Sequence, residues 1–167
     1  MKLTARMVFA SIFVAATALI LDAVFYMQDY LGLDPCPMCV LSRYTFTAIA
    51  IVALIAAIHA PRGRPLKAYS SLVALLAFAG AGVSIRHSYL QHFPPATESC
   101  GADLEFLLNS LPLSQVLPKI FSGTGSCSSV HWKFLGLSIP EWALVWFLIF
   151  AALAIWIGFV RDRSPAR

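Results

Sequence analysis

The residues of this chain best suited to chemistry are its cysteines, two of which stand in Cys36-Pro37-Met38-Cys39. A Cys-x-x-Cys spacing serves both dithiol redox centres and zinc sites, so the surrounding sequence must decide between them. Arg43 follows Cys39 at i+4 and would lie on the same face of a helix, one turn on. With Cys39 at the helix start, the helix dipole and the Arg43 charge would lower its pKa and favour a reactive thiolate.

Haem attachment and zinc binding are the two metal-based uses of such cysteines. Attachment of a c-type haem needs a histidine directly after the second cysteine, and this chain has Val40 there. Zinc stays open as an alternative, because Cys36, Cys39, Cys100 and Cys127 could supply four thiolates. Cys100 and Cys127 are not closely spaced in the sequence. An oxidising compartment, which the basic residues predict for all four cysteines, also works against free thiolates. Redox chemistry without a metal is therefore favoured.

Composition places the cysteines in a membrane protein. The 167 residues are 59% hydrophobic and 12% charged, whereas a soluble domain has about 25% charged residues, and the mean hydropathy is +0.78. Four nearly uncharged stretches are each about long enough to span a bilayer, given roughly 17 to 25 residues per helix. They are residues 8–26, 44–60, 69–85 and 142–160. We predict an all-α membrane protein with a four-helix transmembrane bundle, forming one membrane domain over residues 1–167.

The basic residues predict the orientation of this bundle, because Lys and Arg near span ends stay in the cytoplasm. Most of them fall at the termini and in the loop between the second and third stretches. These are Lys2, Arg6, Arg62, Arg64, Lys67, Arg161, Arg163 and Arg167. Both termini are therefore predicted to be cytoplasmic, with residues 27–43 and 86–141 as outward loops that carry all the cysteines. Disulfides persist in such an oxidising compartment, so two disulfides are expected. The topology also explains the pI of about 9.0 without a nucleic-acid partner.

Two further polar residues lie near the ends of predicted spans. An acid within a span, such as Asp22, is a functional candidate by default, although it could simply neutralise Arg43 or Arg86. His87 could hydrogen-bond a carbonyl or pass protons, or it could be an ordinary interfacial histidine. A dithiol relay also needs an electron acceptor, and the chain has no nucleotide or haem motif. A lipid-soluble quinone remains by elimination, with its ring beside Cys39.

These residues, in this order, resemble the bacterial disulfide bond formation protein B (DsbB) family. Its members are four-helix inner-membrane proteins that reoxidise the periplasmic thiol oxidase DsbA with quinone. The resemblance covers nearly the whole chain and rests on three segments. They are Cys36-x-x-Cys39 with Arg43, His87-Ser-Tyr-Leu-Gln-His-Phe-Pro-Pro leading to Cys100, and Ser126-Cys127 followed by Trp132-Lys-Phe-Leu-Gly-Leu-Ser-Ile-Pro140-Glu-Trp142.

The resemblance implies a role for each cysteine. Cys100 would be attacked by the reduced partner, a DsbA-like oxidase with a thioredoxin fold, to form a mixed disulfide. Cys127 would be the exchange partner of Cys100. Cys36 would then join Cys127 and link the two loops, which releases Cys39 as the thiolate that contacts the quinone.

The resemblance likewise implies that Arg43 and His87 bind the quinone. Ubiquinone is the first expectation and menaquinone the alternative, and no bound metal is expected. The dipeptide Pro37-Met38 departs from the two aliphatic residues of the best-known relative, so redox potentials do not carry over.

The sequence therefore predicts a quinone-dependent thiol-disulfide oxidoreductase in the bacterial inner membrane. Its expected partners are a periplasmic DsbA-like oxidase, membrane lipid and the respiratory quinone pool. One alternative is a related quinone oxidoreductase similar to vitamin K epoxide reductase, which differs in the order of its cysteines. The other is a non-catalytic membrane scaffold with structural disulfides or zinc, which would resist mild reductant or contain metal.

Overall fold

The computed structural model describes residues 4–32, 36–93 and 133–160 of the chain. Cys100, Cys127 and most of the predicted 86–141 loop lie outside these residues. The elements, in chain order, are α1 (Ala5–Leu21) with a π-helical continuation (Asp22–Tyr30), α2 (Pro37–His59), α3 (Arg64–His92), β1 (Lys133–Phe134), β2 (Leu137–Ser138), and α4 (Ile139–Ile155) with a second π-helical segment (Trp156–Val160).

Four helical stretches are long and apolar enough to cross a membrane, which confirms the predicted four-helix membrane protein. They are Ala5–Tyr30, Pro37–His59, Arg64–His92 and Ile139–Val160. Each is longer than the apolar stretch that predicted it. A helix satisfies its own backbone hydrogen bonds and can therefore continue past the hydrocarbon layer into turns that carry polar residues. The chain is thus a multi-pass membrane protein.

Helices that follow one another in the chain pack side by side, with the broadest contacts between α3 and α4, α1 and α2, and α2 and α3. The reversal between α2 and α3 is short. Ala60 ends α2 in the left-handed region (φ 44°), and Gly63, also at positive φ (64°), precedes the first residue of α3. Such a tight connection forces α2 and α3 to run antiparallel.

The bundle core between α2 and α4 is built on aromatic rings. Phe46 stacks on Phe147 with 4.1 Å between ring centroids, and it meets Phe150 edge to face at 6.2 Å. Both geometries are favourable for aromatic pairs and add to the area that they bury. Phe147 is fully buried and also lies against α3, so this ring joins three helices.

The close approach of α3 to α4 depends on Gly80, which has no side chain. A Cβ placed on Gly80 would lie 2.5 Å from the ring of Phe147, whereas one placed on Gly82 would have nothing within 4 Å. Between helices in lipid, small residues let neighbouring elements pack closely enough for strong van der Waals contact. Gly80 therefore determines how near α4 can come to α3.

A small hairpin that the sequence analysis did not anticipate leads into α4. β1 and β2 pair antiparallel, with Phe134 opposite Leu137. Leu135 (φ 52°) and Gly136 (φ 84°) make the connection, and positive φ at both positions is typical of a type I′ turn. Ser138 then ends the hairpin and begins α4.

The Gly80 contact generates the first prediction. Gly80→Ala should destabilise the bundle, because overpacking costs about 1–3 kcal/mol, which lowers Tm by roughly 2–4 °C per kcal/mol in a chain of this size. Gly82→Ala is the matched control, since it gains the same helix propensity without a clash. Thermal unfolding in detergent, followed by circular dichroism, measures both. Equal Tm values for the two variants would contradict the packing role of Gly80.

Candidate functional site

The predicted redox motif lies where the start of α2 meets the last turns of α3. We call this region the cysteine end of the bundle, defined by Cys36 and Cys39 of α2, His87 of α3 and the π-helical segment Asp22–Tyr30. His87 and Cys36 are 51 positions apart in the chain and meet only through the antiparallel packing of α2 and α3. The cysteine end therefore depends on the fold as much as on the motif.

Cys36 is the N-cap residue of α2. Its backbone is extended (φ −66°, ψ 160°), and its Sγ accepts a hydrogen bond from the backbone N–H of Cys39 at 3.3 Å. Pro37 occupies the first helical position, where its missing N–H costs nothing. A sulfur atom thus fills the place that a serine or aspartate oxygen takes at most helix starts.

The cap brings the two cysteines of the motif together. Their Sγ atoms are 3.0 Å apart, about 1 Å longer than a disulfide bond of roughly 2.05 Å, so the pair is in contact without a bond between its members. Cys36 is 6% exposed, while Cys39 is half-buried. A reagent approaching this pair from outside the bundle would therefore meet Cys39 more readily.

His87 faces Cys36 from α3. Its Nε2 atom lies 3.6 Å from Cys36 Sγ, and the side chain is only 4% exposed. The reactive atoms of Cys36, Cys39 and His87 all lie within 4.8 Å of one another. An imidazole in this position can exchange a proton with the thiol, or donate toward a thiolate, according to its tautomer. The sequence analysis predicted His87 as a quinone ligand, and the structure places it against the buried cysteine.

The Arg43 side chain contacts the π-helical segment Asp22–Tyr30. Nη1 donates to Gln28 Oε1 and Nη2 donates to the carbonyl oxygen of Ala23, both at 2.7 Å. Both acceptors are neutral, so neither compensates the guanidinium charge. Asp22 is exposed and is not among the partners of Arg43, which leaves the predicted neutralisation of Arg43 by this acid without support. Among the described residues, no carboxylate pairs with Arg43, which lies one helical turn beyond Cys39.

Glu141 joins the end of α3 to the start of α4. Its Oε2 accepts from the backbone N–H of Ser138 at 2.6 Å and from the Ser138 hydroxyl at 3.0 Å. Its Oε1 accepts from the Ser88 hydroxyl at 3.4 Å and lies 3.9 Å from His92 Nε2. Ser88 is the neighbour of His87 in the chain, so these contacts help to fix the turn of α3 that carries His87.

The sequence analysis did not single out Glu141, although a signal was present. Ser138-Ile139-Pro140-Glu141 before an apolar run has the Ser-x-x-Glu spacing of a capping box, which predicts a helix start. Gln28 had no comparable signal. A single amide side chain between two predicted spans does not indicate which residue of α2 it will contact.

Of the predicted site residues, Cys36, Cys39 and His87 come together, and Arg43 lies on the next turn of α2, bonded to the π-helical segment Asp22–Tyr30. Cys100 and Cys127 lie outside the described residues. The roles of all six remain predictions.

Comparison with known proteins extends over most of the chain. The profile of a family described as "Disulfide bond formation protein DsbB" matches residues 5–157. A protein of Aromatoleum aromaticum named "Disulfide bond formation protein B" is 48% identical over 150 residues, which cover 90% of each chain. Proteins of the same name from an Azoarcus species and from Xanthomonas campestris are 42% and 39% identical, over 93% of this chain and 93% and 90% of theirs.

The helix cap at Cys36 generates the second prediction. Cys36→Ala should lower the stability of the protein under reducing conditions, because loss of an N-cap costs typically about 1 kcal/mol. Cys36→Ser is the control, since a hydroxyl caps at least as well as sulfur while also removing the thiol. Thermal unfolding with excess phosphine reductant compares the two variants. If they unfold at the same temperature, the Cys36 cap contributes nothing to the fold.

Proposed function

The chain belongs to the DsbB family of disulfide bond formation proteins, and from this membership and the cysteine end we propose that it is a quinone-dependent thiol oxidase. It reoxidises a DsbA-like protein with a thioredoxin fold and passes the electrons to ubiquinone or menaquinone in the membrane. It sits in the bacterial inner membrane with both termini in the cytoplasm. The cysteine end then opens toward the periplasm, where the dithiol partner resides.

The observation that carries the proposal is the 3.0 Å contact between the two sulfur atoms at the end of a membrane-spanning bundle. Forming a disulfide from this arrangement needs the two sulfur atoms to move about 1 Å closer together. The pair also has one buried member beside an imidazole and one half-exposed member. These features suit a bond that opens and closes repeatedly, which an inert structural disulfide does not do.

The exchange begins with two disulfides, Cys36–Cys39 and Cys100–Cys127. A thiolate of the reduced partner attacks Cys100, and Cys127 leaves as a thiolate with the electron pair of the broken bond. Cys127 then attacks Cys36, the two loops become linked, and Cys39 leaves as a thiolate. Each step breaks one S–S bond and forms another, so the number of disulfide bonds in the protein and its partner together has not changed.

The second thiol of the partner attacks the mixed disulfide and releases Cys100, and the partner departs oxidised. Cys100 then attacks Cys127, which restores their disulfide and releases Cys36. Cys36 and Cys39 now hold the two electrons and two protons taken from the partner. A quinone held beside Cys39 and Arg43 would supply the acceptor for these two electrons and two protons, so that the Cys36–Cys39 bond could close again.

The residues around the pair suit this last step. Arg43 is one turn from Cys39, and its contacts with Gln28 and Ala23 use two of the five N–H donors of a guanidinium. No other acceptor contacts Arg43 among the described residues, and its further donors suit a carbonyl oxygen that gains negative charge. His87 beside Cys36 takes up or delivers the thiol proton, and its burial keeps bulk water from that exchange.

The third prediction tests the relay itself. Purified full-length protein in detergent, given a reduced thioredoxin-fold dithiol partner, should convert added ubiquinone or menaquinone to quinol, measured by loss of quinone absorbance. One quinone should be consumed for each partner disulfide formed. Cys39→Ser should abolish the reaction, because the thiolate that contacts the quinone is gone. No loss of either quinone with the intact protein would sink the proposal and leave the scaffold alternative.

The fourth prediction concerns Arg43. Arg43→His should raise the apparent KM for quinone on the order of tenfold or more, because a hydrogen bond to a charged group contributes about 1.5–3 kcal/mol. Gln28→Ala should raise the same constant by less, since it removes one anchor of the guanidinium. Arg86→His is the matched control, because it makes the same substitution at an arginine of α3, whose guanidinium lies over the Tyr89 ring.

Steady-state kinetics with quinone and partner varied in turn provide the measurement. The KM for the partner should stay nearly constant in all three variants. An unchanged quinone KM in Arg43→His, or an equal rise in both constants, would show that Arg43 does not position the quinone.

A further inference from the structure

Two thiols and an imidazole converge at the cysteine end. The ligand atoms of Cys36, Cys39 and His87, from two helices, all lie within 4.8 Å of one another. Two sulfurs and a histidine nitrogen are a donor set that zinc prefers, and three protein ligands leave a fourth position for water. Thiolate ligands also select zinc over the harder ions magnesium and calcium.

One of the distances already suits a tetrahedral ion. With zinc bonds of about 2.3 Å to sulfur and 2.1 Å to nitrogen, a tetrahedron separates sulfur from nitrogen by about 3.6 Å and two sulfurs by about 3.8 Å. Cys36 Sγ and His87 Nε2 are already 3.6 Å apart. The two sulfurs, at 3.0 Å, must open slightly, and the half-buried Cys39 is the one with room to move.

The contacts of the two sulfurs suit thiolate ligands. The backbone N–H of Cys39 donates to Cys36 Sγ, and such an outer contact orients a ligand and supports its negative charge. Zn²⁺ with two thiolates and a neutral imidazole has no net charge, so burying the assembly avoids the large penalty of an unpaired buried ion.

We propose that the dithiol form of Cys36 and Cys39, together with His87, is an inhibitory binding site for Zn²⁺. Binding displaces two protons from the thiols and transfers no electrons. A disulfide between Cys36 and Cys39 removes both sulfur ligands, so metal binding and the oxidised state exclude each other. The bound ion would stop the relay, because neither thiolate could then enter a disulfide. This consequence rests on the proposed function, whereas the binding itself does not.

The site differs from the four-thiolate zinc site that the sequence left open, because it needs neither Cys100 nor Cys127. The full-length Cys100→Ser/Cys127→Ser variant in detergent, reduced with a phosphine, separates the two. Titration with Co²⁺ should give sulfur-to-cobalt charge-transfer absorption that saturates at one equivalent. Zn²⁺ should displace the Co²⁺, and oxidation of the pair with diamide should abolish binding.

Histidine variants test the third ligand. His87→Ala should weaken Zn²⁺ binding at least tenfold in competition with a chromophoric chelator, whereas His59→Ala, at the exposed last turn of α2, should leave it unchanged. His87→Cys should bind Co²⁺ with stronger charge-transfer absorption from a third thiolate, which also shows that a substituted α3 still folds. Unchanged affinity in His87→Ala, or no binding without Cys100 and Cys127, would overturn the proposal.

Activity provides a separate readout. In wild-type protein, micromolar Zn²⁺ should inhibit quinone reduction, and a chelator should restore it. If Co²⁺ binds as described and no oxidase activity exists, the proposed function fails while the site stands. If oxidase activity is present and insensitive to Zn²⁺, the inhibitory role is wrong.

Discussion

The hydrogen bond from the Cys39 amide to Cys36 Sγ is the contact on which the cysteine end depends. It satisfies one of the donors that every helix start leaves unpaired, and it folds the Cys36 side chain back over the first turn of α2. That single placement brings the sulfur to Cys39 and turns it toward His87. Helix capping and sulfur chemistry are therefore served by the same atom.

Packing between helices supplies what the cap cannot. His87 contacts Cys36 only if α3 keeps its position along α2. The stacked rings of Phe46 and Phe147, and the lack of a side chain at Gly80, determine how α2, α3 and α4 pack together. At the cysteine end, Glu141 ties the last turns of α3 to the start of α4. A rigid apolar core and a small polar network thus act on the same turn of α3.

The sequence predicted the membrane helices well, because long apolar runs are a local signal. The i, i+3 spacing likewise indicated that Cys36 and Cys39 would lie close together. It could not predict that His87 faces Cys36, since that contact requires the relative depth of two helices. The contacts of Arg43 with Gln28 and Ala23 were unpredictable for the same reason. The orientation in the membrane and the roles of Cys100 and Cys127 stay predictions from charge and resemblance.

The wide winding of Asp22–Tyr30 has a consequence for how this chain tolerates changes in length. Arg43 holds a carbonyl and an amide from this one segment. Deleting a single residue early in the segment would shift every later side chain by one position and so turn it to a different side of the helix. Gln28 would then point away from α2 even though no contact residue had been replaced. At this place the number of residues is constrained as firmly as their identity.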